Sequence, residues 1–306
     1  MIDNLNQEFP KEMESGAFKR QKSIFRNEIS DNTKFKPEPN RYHFYLSYAC
    51  PWAHRVLITI FLKGLNEIFS FSFANPIRDS RGWRFDDKIK YNDTLNKFNF
   101  LSEAYKLMDQ NYNLRITVPV MWDKFSNEIV NNESSDIIEM INSKFEVFAA
   151  KKIDLNPPKY KAQSQRLDNY IYENINNGVY KCGFATKQEI YEANVKNLFD
   201  ALEKIEQILE SSKFLLGNNL SLSDIRLFVT LIRFDVVYYS HFKTSKKHIY
   251  EFPNLWRYVK EINSIAEVKK TINFDEIKTH YFQTHNKINP NKIIPSGPDI
   301  LKLLND

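Results

Sequence analysis

Cys50 is the side chain in this sequence best placed to do chemistry. It follows an aromatic-rich run with a strand pattern and precedes Pro51 and a helical run at 53–62. Proline suits the first turn of a helix, so Cys50 is predicted at or near the N-cap, with the amides of Trp52 and Ala53 directed at its sulfur. Such a position lowers a thiol pKa from about 8.5 to roughly 3.5–7.5. We therefore expect Cys50 to be a thiolate nucleophile.

Cys50 has one structural alternative, in which it is a small buried hydrophobic residue that happens to precede a proline. The order of strand, cysteine, proline and amphipathic helix favours the nucleophile. The other cysteine is Cys182, and neither cysteine has a second one three residues away. Two cysteines are too few for a disulfide framework. A Cys50 that is oxidised during a reaction would therefore need an external thiol to reduce it.

Two further segments have the residue types of a peptide-binding site. Pro119 lies in a predicted strand, where proline is confined to an edge or a bend. A cis Pro119 would leave the backbone of Val118 available to an extended peptide; an ordinary trans proline is the alternative. Glu133 and Ser134 begin a predicted helix, where they could be caps only. Their second use is to bind a ligand ammonium at Glu133 and a ligand carboxylate at Ser134, which matches the γ-glutamyl end of glutathione.

The remaining candidate residues have weaker signals. Tyr180, Tyr238 and Tyr281 are three of 16 tyrosines, and each is individually more typical of packing than of chemistry. Their chemical use would be as phenol donors to a thiolate or to a leaving phenolate. Cys182 is most simply a thiol in the core or at the wall of a pocket. His54 lies one helical turn beyond the nucleophile and is not assigned as a base, because we expect it to face elsewhere.

The elements that must position these residues form a mixed domain and then a helical one. Strands are predicted at 42–48, 68–74, 117–122 and 128–130, and the helices between and after them at 53–63, 101–108 and from 131–136 onward. Further helices are predicted at 163–176, 188–211, 222–236 and 253–262, the third of them opened by an acidic capping box at 221–224. The order of strands and helices in the first half of the chain is typical of a thioredoxin-like domain. We predict an N-terminal arm at 1–40, a thioredoxin-like domain at 41–150, a linker at 151–161 and an all-helical domain at 162–306.

The composition excludes several classes of protein. With 42% hydrophobic and 26% charged residues, the chain is typical of soluble globular proteins, and no run approaches the roughly 20 apolar residues of a membrane-spanning helix. The first residues carry several acids and have no secretory or transit pattern, so we expect a cytoplasmic protein. The net charge is +5, but the lysines are interspersed with acids, as on solvated helix faces. We expect no nucleic-acid partner, no membrane partner and no metal.

The sequence resembles the xi class of the glutathione transferases, the glutathionyl-hydroquinone reductases. In the first half the matching motifs are Tyr48-Ala49-Cys50-Pro51-Trp52-Ala53-His54-Arg55, Gly82-Trp83, Thr117-Val118-Pro119-Val120 and the run 129–135 that contains Glu133-Ser134-Ser135. In the second half they are the run 176–181 that contains Gly178-Val179-Tyr180, Asp224-Ile225-Arg226-Leu227, Arg233-Phe234-Asp235, His280-Tyr281 and the tail 288–298. These motifs span nearly the whole chain after residue 40 and follow the family's order.

The resemblance implies a role for each candidate residue. Cys50 is similar to the nucleophile that takes up glutathione as a mixed disulfide. Tyr180 matches the general acid/base, and Tyr238 and Tyr281 match the tyrosines that help to lower the cysteine pKa. The implied glutathione site consists of Trp83, Arg115, Ile116, Thr117, Val118, Glu133 and Ser134.

The resemblance also implies a reaction and an assembly. The family converts glutathionyl-hydroquinones and glutathione into hydroquinones and oxidised glutathione, so glutathione is expected as a co-substrate and a homodimer as the assembly. Two alternatives remain: an omega-like glutathione transferase with thioltransferase or dehydroascorbate reductase activity, and a non-catalytic binding module of the same shape. One departure from the family pattern is Phe282, which follows Tyr281 where a second tyrosine is common.

Overall fold

The structure is a computed structural model that describes residues 12–86 and 89–306, and these residues form two compact units. We call residues 21–154 and 271–280 the sheet unit. Residues 12–20, 155–270 and 281–306 form the helical unit. This division differs from the predicted one at 21–40 and 271–280, both of which group with the sheet unit.

Strands and helices are interspersed in the first half of the described chain, and the named elements after it are helices. The strands are β1 (Met13–Glu14), β2 (Ala17–Phe18), β3 (Tyr42–Leu46), β4 (Ser70–Phe73), β5 (Val120–Asp123) and β6 (Glu128–Asn131). The α-helices are α1 (Pro51–Leu62), α2 (Leu101–Met108), α3 (Ser134–Lys144), α4 (Lys161–Ile171), α5 (Gly178–Gly183), α6 (Gln188–Glu210), α7 (Leu222–Arg233), α8 (Tyr239–His241), α9 (Pro253–Asn263), α10 (Ala266–Lys269), α11 (Phe274–Thr284) and α12 (Ile300–Asn305). Single-turn 3₁₀-helices lie at Glu146–Phe148, Pro158–Tyr160 and Ile249–Glu251, and π-helices at Tyr172–Asn176 and Phe234–Tyr238.

A mixed four-stranded sheet forms the core of the sheet unit. Its strand order is β4-β3-β5-β6. β3 pairs with β4 in parallel, with His43 opposite Ser70, and β5 is antiparallel to both of its neighbours. Every residue of β3 is buried, as expected of a central strand that is covered on both faces. With α1 following β3 and α3 following β6, the unit has the predicted thioredoxin-like fold.

Residues 25–27 pair with the outer edge of the sheet at β6. The backbone N–H of Asn27 donates to the Val130 carbonyl at 3.0 Å, and that of Asn132 donates to the Phe25 carbonyl at 2.9 Å. The sequence predicts an irregular arm here, because a short edge strand carries little periodic signal of its own. The open edge of β6 provides the pairing that makes the segment extended, and only the folded sheet supplies that edge.

Residues 271–280 are also held to the sheet unit by polar contacts. Thr271 Oγ1 lies 2.8 Å from His54 Nε2, and His280 Nδ1 lies 2.6 Å from the Pro76 carbonyl, to which it donates. These partners are more than 200 residues earlier in the chain. The segment therefore groups with the first half of the sequence, which chain order alone does not indicate.

The N-terminus of α7 contains the predicted capping box. Asp224 accepts from the backbone N–H of Ser221 at 2.8 Å and from its hydroxyl at 2.6 Å, and the Asp224 amide donates back to Ser221 Oγ at 3.4 Å. Leu215 N–H and the Tyr258 hydroxyl donate to the same carboxylate at 2.9 Å and 3.1 Å. Burial raises the pKa of Asp224 to about 6 in spite of these four donors. The capping box is thus confirmed, with a buried carboxylate at its centre.

Two predicted helices change to π-geometry at their C-terminal ends. The predicted helix at 163–176 ends in the π-helix Tyr172–Asn176, and the one at 222–236 passes into the π-helix Phe234–Tyr238. The helix α5 was not predicted, because it is short and has two glycines. The third strand was predicted from 117 but begins at Val120. Its pairing with β3 ends there, with Val120 opposite Tyr45.

The buried imidazole of His43 provides a prediction about pH. His43 is fully buried, with Ser70 Oγ 2.8 Å from Nδ1 and Ser72 Oγ 3.0 Å from Nε2, and burial lowers its pKa from 6.5 to about 4. Between these two values the unfolded chain binds more protons than the folded one, so stability falls as the pH falls from 6.5 toward 4. We expect His43→Gln to remove up to about 3 kcal/mol of this acid destabilisation.

Urea unfolding of wild type and His43→Gln at pH 7 and pH 4.5 measures this difference. His241, whose pKa is also lowered to about 4 by burial, is present in both proteins and cancels in the comparison. Equal losses of stability in the two proteins would contradict the prediction.

Candidate functional site

Cys50 is the N-cap residue of α1, as predicted. Its backbone is extended (φ −80°, ψ 120°), and Pro51 begins the helix. Within the described residues its sulfur makes no capping hydrogen bond, so the expected approach of the first helical amides does not take that form. The thiol instead donates to the Val118 carbonyl, with a distance of 3.4 Å between sulfur and oxygen. A thiolate can only accept, so ionisation of Cys50 would end this contact and leave the sulfur at the positive end of α1.

The backbone next to Cys50 is the predicted cis-proline segment. The Val118–Pro119 peptide bond is cis, as predicted. Thr117 is fixed by the Tyr105 hydroxyl, which donates to the Thr117 carbonyl at 2.8 Å. Burial raises the pKa of Tyr105, so this phenol remains a donor. The segment is therefore a rigid stretch of backbone in direct contact with the candidate nucleophile.

Glu133 and Ser134 occupy the start of α3. Glu133 is the N-cap: its Oε1 accepts from the backbone N–H of Ser135 at 3.1 Å and from the Ser135 hydroxyl at 3.0 Å. Its Oε2 accepts from the Ser23 hydroxyl at 3.0 Å. The capping role is thus present, and Glu133 as a residue remains partly exposed.

Arg55 is a candidate site residue that sequence reasoning did not assign. It is 2% exposed, and its guanidinium lies 4.4 Å from the centre of the Trp52 ring. One of its terminal nitrogens donates to Ser134 Oγ at 3.4 Å. A buried cation beside a helix N-terminus favours an anion, so Arg55 adds charge to the predicted carboxylate site. Its sequence signal was a lone arginine within the apolar run of α1.

Trp83 is held by a second residue that had no assigned role. The Trp83 indole stacks on the His280 imidazole, with ring centres 5.0 Å apart and planes at 17°. Its carbonyl accepts from the Leu101 amide at 2.9 Å. The preceding Gly82 has φ +99°, a left-handed conformation that favours glycine. The orientation of Trp83 is therefore fixed by a backbone hydrogen bond and by the stacking of its ring.

Arg115 and Ile116 complete the predicted group on the sheet unit. Gln21 of the arm accepts from the Arg115 backbone N–H at 2.8 Å and donates to its carbonyl at 3.3 Å. Ile116 lies beside Gly82, where an added Cβ would be 3.6 Å from the Ile116 Cβ. The arm thus takes part in building this segment, which the sequence did not indicate.

The three tyrosines form a chain of hydroxyl groups in the helical unit. Tyr180 Oη lies 2.6 Å from Tyr281 Oη, which lies 3.0 Å from Tyr238 Oη. Burial raises the pKa of Tyr238 and Tyr281 well above 10, so both are neutral donors at physiological pH. The guanidinium of Arg20 lies 4.6 Å from the centre of the Tyr180 ring. The structure therefore connects three residues that spacing alone did not select.

The second cysteine has the environment of a core residue. Cys182 is 2% exposed, and burial raises its pKa to about 12. It is therefore a protonated thiol at neutral pH and a poor nucleophile. This agrees with its interpretation as a packing residue.

A metal site or a membrane span would each leave a recognisable pattern in residues 12–86 and 89–306. Across these ranges, no three or more His, Cys, Asp and Glu side chains are grouped so as to hold a metal ion. No helix in the described chain has the length and apolar character needed to span a membrane.

Two family models match the chain, and similar proteins cover nearly all of it. The glutathione S-transferase N-terminal domain matches residues 49–144, and the corresponding C-terminal domain matches residues 188–261. The glutathionyl-hydroquinone reductase YqjG of Escherichia coli is 44% identical over 293 residues, which is 92% of this chain and 89% of YqjG. The glutathionyl-hydroquinone reductase PcpF of Sphingobium chlorophenolicum is 42% identical, over 92% of this chain and 90% of PcpF.

Solved structures show the same relationship. The xi glutathione transferase of Phanerochaete chrysosporium has a TM-score of 0.90 at 43% identity, covering 92% of this chain and 98% of its own. The glutathione-bound structure of YqjG has a TM-score of 0.87 at 44% identity, covering 90% of this chain and 92% of its own. With sequence, fold and motif order in agreement, the chain belongs to the xi class of the glutathione transferases.

Proposed function

We propose that this protein is a glutathionyl-hydroquinone reductase, which removes glutathione from glutathionyl-hydroquinones. The observation that carries the proposal is the placement of Cys50 at the start of α1, in contact with the backbone of Val118 beside a cis proline. This arrangement suits a thiol that attacks a sulfur of a bound peptide. The similarity to two reductases of this name, each over 92% of the chain, supports the same reaction.

Glutathione is the proposed co-substrate, and the residues of the sheet unit divide its recognition. The backbone of Val118 pairs with the cysteinyl residue by strand addition. The ammonium of the γ-glutamyl group binds Glu133, and its carboxylate binds Ser134, where Arg55 adds a positive charge. Trp83 covers the cysteinyl-glycine portion, and the Arg115 to Thr117 backbone borders it.

The proposed reaction has two thiol steps. The Cys50 thiolate attacks the glutathionyl sulfur and forms a disulfide with it, while the bond between that sulfur and the ring carbon breaks. The bonding electron pair stays on the ring, and Tyr180 supplies the proton, with Tyr281 and Tyr238 hydrogen-bonded behind it. The thiolate of a second glutathione then attacks the mixed disulfide, which releases oxidised glutathione and restores Cys50. The ring carbon is reduced, and the glutathionyl sulfur of the substrate and the thiol of the second glutathione are oxidised to the disulfide.

Tyr180→Phe tests the proposed acid. We expect kcat for glutathionyl-menadione to fall on the order of 10²-fold, because the ring would lose its positioned proton donor. The matched control is Tyr191→Phe, which removes another hydroxyl of the helical unit, one that donates to the Lys243 carbonyl. Equal kcat values for Tyr180→Phe and wild type would show that Tyr180 is not the acid.

The assay that tests the function compares two classes of substrate. Turnover of a panel of glutathionyl-hydroquinones is measured beside that of a glutathione mixed disulfide and dehydroascorbate. A reductase of the proposed kind prefers the hydroquinones, whereas an omega-like enzyme prefers the mixed disulfide or dehydroascorbate. Loss of all three activities in a folded protein that still binds glutathione would indicate a binding module.

We also propose a cytoplasmic homodimer. Within the described residues neither Cys50 nor Cys182 is part of a disulfide, which suits a reducing compartment where glutathione is abundant. Light scattering of the purified protein measures the mass in solution, and a monomeric mass of 36.3 kDa would rule out the dimer.

A further inference from the structure

We propose that Ser23 of the N-terminal arm is a positioning residue of the glutathione site, which fixes the Glu133 carboxylate to receive the ligand ammonium. This inference rests on the proposed function, because it assigns how Glu133 is prepared for the ligand. Ser23 lies 110 residues before Glu133, in a segment to which the sequence assigns no role.

The two carboxylate oxygens of Glu133 accept hydrogen bonds from different parts of the sequence, one from a neighbouring residue and one from a distant residue. Ser135 donates its amide and its hydroxyl to Oε1 at 3.1 Å and 3.0 Å. Ser23 donates its hydroxyl to Oε2 at 3.0 Å, which is shorter than its 3.3 Å approach to the Asn132 carbonyl. An ionised carboxylate has about four acceptor positions, so three donors leave about one free for an ammonium.

The hydroxyl of Ser23 is placed by the backbone of its own segment. Gln21 and Ser23 are partly buried, whereas Lys22 and Ile24 between and after them are exposed, the alternation of an extended strand. The Gln21 side chain makes two hydrogen bonds to the Arg115 backbone, one to its N–H and one to its carbonyl. The inward face of the segment is thus directed at the two ends of the proposed glutathione site.

A second contact anchors the far end of the segment to α3. Arg26 makes a bidentate ion pair with Asp136, with distances of 2.7 Å and 2.6 Å. Asp136 lies in the first turn of α3, three residues after Glu133. The Asn131 side chain accepts from the Glu133 amide at 2.7 Å and donates to the Asn27 carbonyl at 3.2 Å. Ser23 is therefore part of a braced edge, in which its hydroxyl has a fixed direction.

Fixing Glu133 before binding has a chemical consequence. A glutamate side chain loses rotamer freedom when it binds a cation, and that loss weakens the complex. With Ser135 on one oxygen and Ser23 on the other, the rotamer is set in the unbound protein. Removal of the Ser23 hydroxyl frees Oε2, so the ligand ammonium would have to order the carboxylate itself.

The test compares two inert ligands that differ in a single group. The first is S-methylglutathione, and the second is the same compound with its α-amino group replaced by hydrogen. Their dissociation constants are measured by calorimetry on wild type, Ser23→Ala, Ser23→Thr and the exposed neighbour control Lys22→Ala. We expect Ser23→Ala to weaken S-methylglutathione about tenfold, as for loss of a hydrogen bond to a charged group.

The other measurements separate positioning from a general structural effect. Ser23→Thr keeps the hydroxyl and is expected to restore binding to within about twofold of wild type, and Lys22→Ala to bind as wild type does. The ligand without the amino group should bind Ser23→Ala and wild type equally. Equal weakening of both ligands by Ser23→Ala, or no weakening of either, would overturn the inference.

Glu133→Gln distinguishes this inference from the proposed function beneath it. If Glu133→Gln weakens S-methylglutathione while Ser23→Ala does not, only the role of Ser23 is wrong. If Glu133→Gln binds both ligands as wild type does, the proposed ammonium site is wrong, and the role of Ser23 is wrong with it.

Discussion

Replacement of Cys50 by serine is expected to lower turnover of glutathionyl-menadione by at least about 10³-fold, as for removal of other enzyme nucleophiles. Serine keeps the size of the side chain and the N-cap position. Its hydroxyl does not ionise near neutral pH, so the attack on the glutathionyl sulfur has no nucleophile. The reduced rate is measured by following hydroquinone release, with the fold checked by circular dichroism.

Cys182→Ser is the matched control for the Cys50 variant. Because burial raises the pKa of Cys182 to about 12, we expect this variant to keep wild-type turnover. Mass spectrometry of wild type after incubation with the substrate should find a single glutathione adduct, on the peptide that contains Cys50. Full activity of Cys50→Ser, or an adduct on Cys182 alone, would refute the proposed mechanism.

Replacement of Gly183 by alanine is expected to destabilise the protein by at least about 3 kcal/mol, the upper range of overpacking in a core. A Cβ at Gly183 would lie 2.2 Å from two ring atoms of Phe242. Phe242 is fully buried and cannot move away, since its ring packs on Tyr180, Tyr238 and Tyr281 at centre distances of 5.3, 5.4 and 5.7 Å. The strain would therefore reach the hydroxyl chain proposed to supply the proton.

Gly178→Ala is the control, because both glycines belong to α5. A Cβ at Gly178 would meet Leu198 at 3.6 Å, an ordinary contact, and alanine favours the helix by roughly 1 kcal/mol. Urea unfolding is expected to show a large loss of stability for Gly183→Ala and little change for Gly178→Ala. Similar stabilities for the two variants would contradict the predicted clash.

Local sequence signals predicted the parts of the site that depend on neighbouring residues. The pairing of Cys50 with Pro51 predicted a helix start at the cysteine, because proline fits the first helical turn and lacks the amide that later turns need. In the same way Ser221 and Asp224 predicted a capping box that the structure confirms. The order of the strand and helix patterns extended this to the thioredoxin-like and helical domains.

These local signals could not predict contacts between residues that are far apart in the sequence. Ser23 and His280 became candidate residues only because an edge strand and a returning segment bring them to Glu133 and Trp83. Short extended segments and single polar side chains have no periodicity that would reveal a partner more than 100 residues away.

The sequence by itself singled out Cys50 as the candidate nucleophile and determined which local element presents it, since helix starts and strand patterns depend on adjacent side chains. The tertiary structure alone decided which tyrosines, among 16, share a chain of hydroxyl groups, and which residues brace the ligand site. Those choices depend on packing between distant segments, where burial and geometry select partners that the order of the chain does not specify.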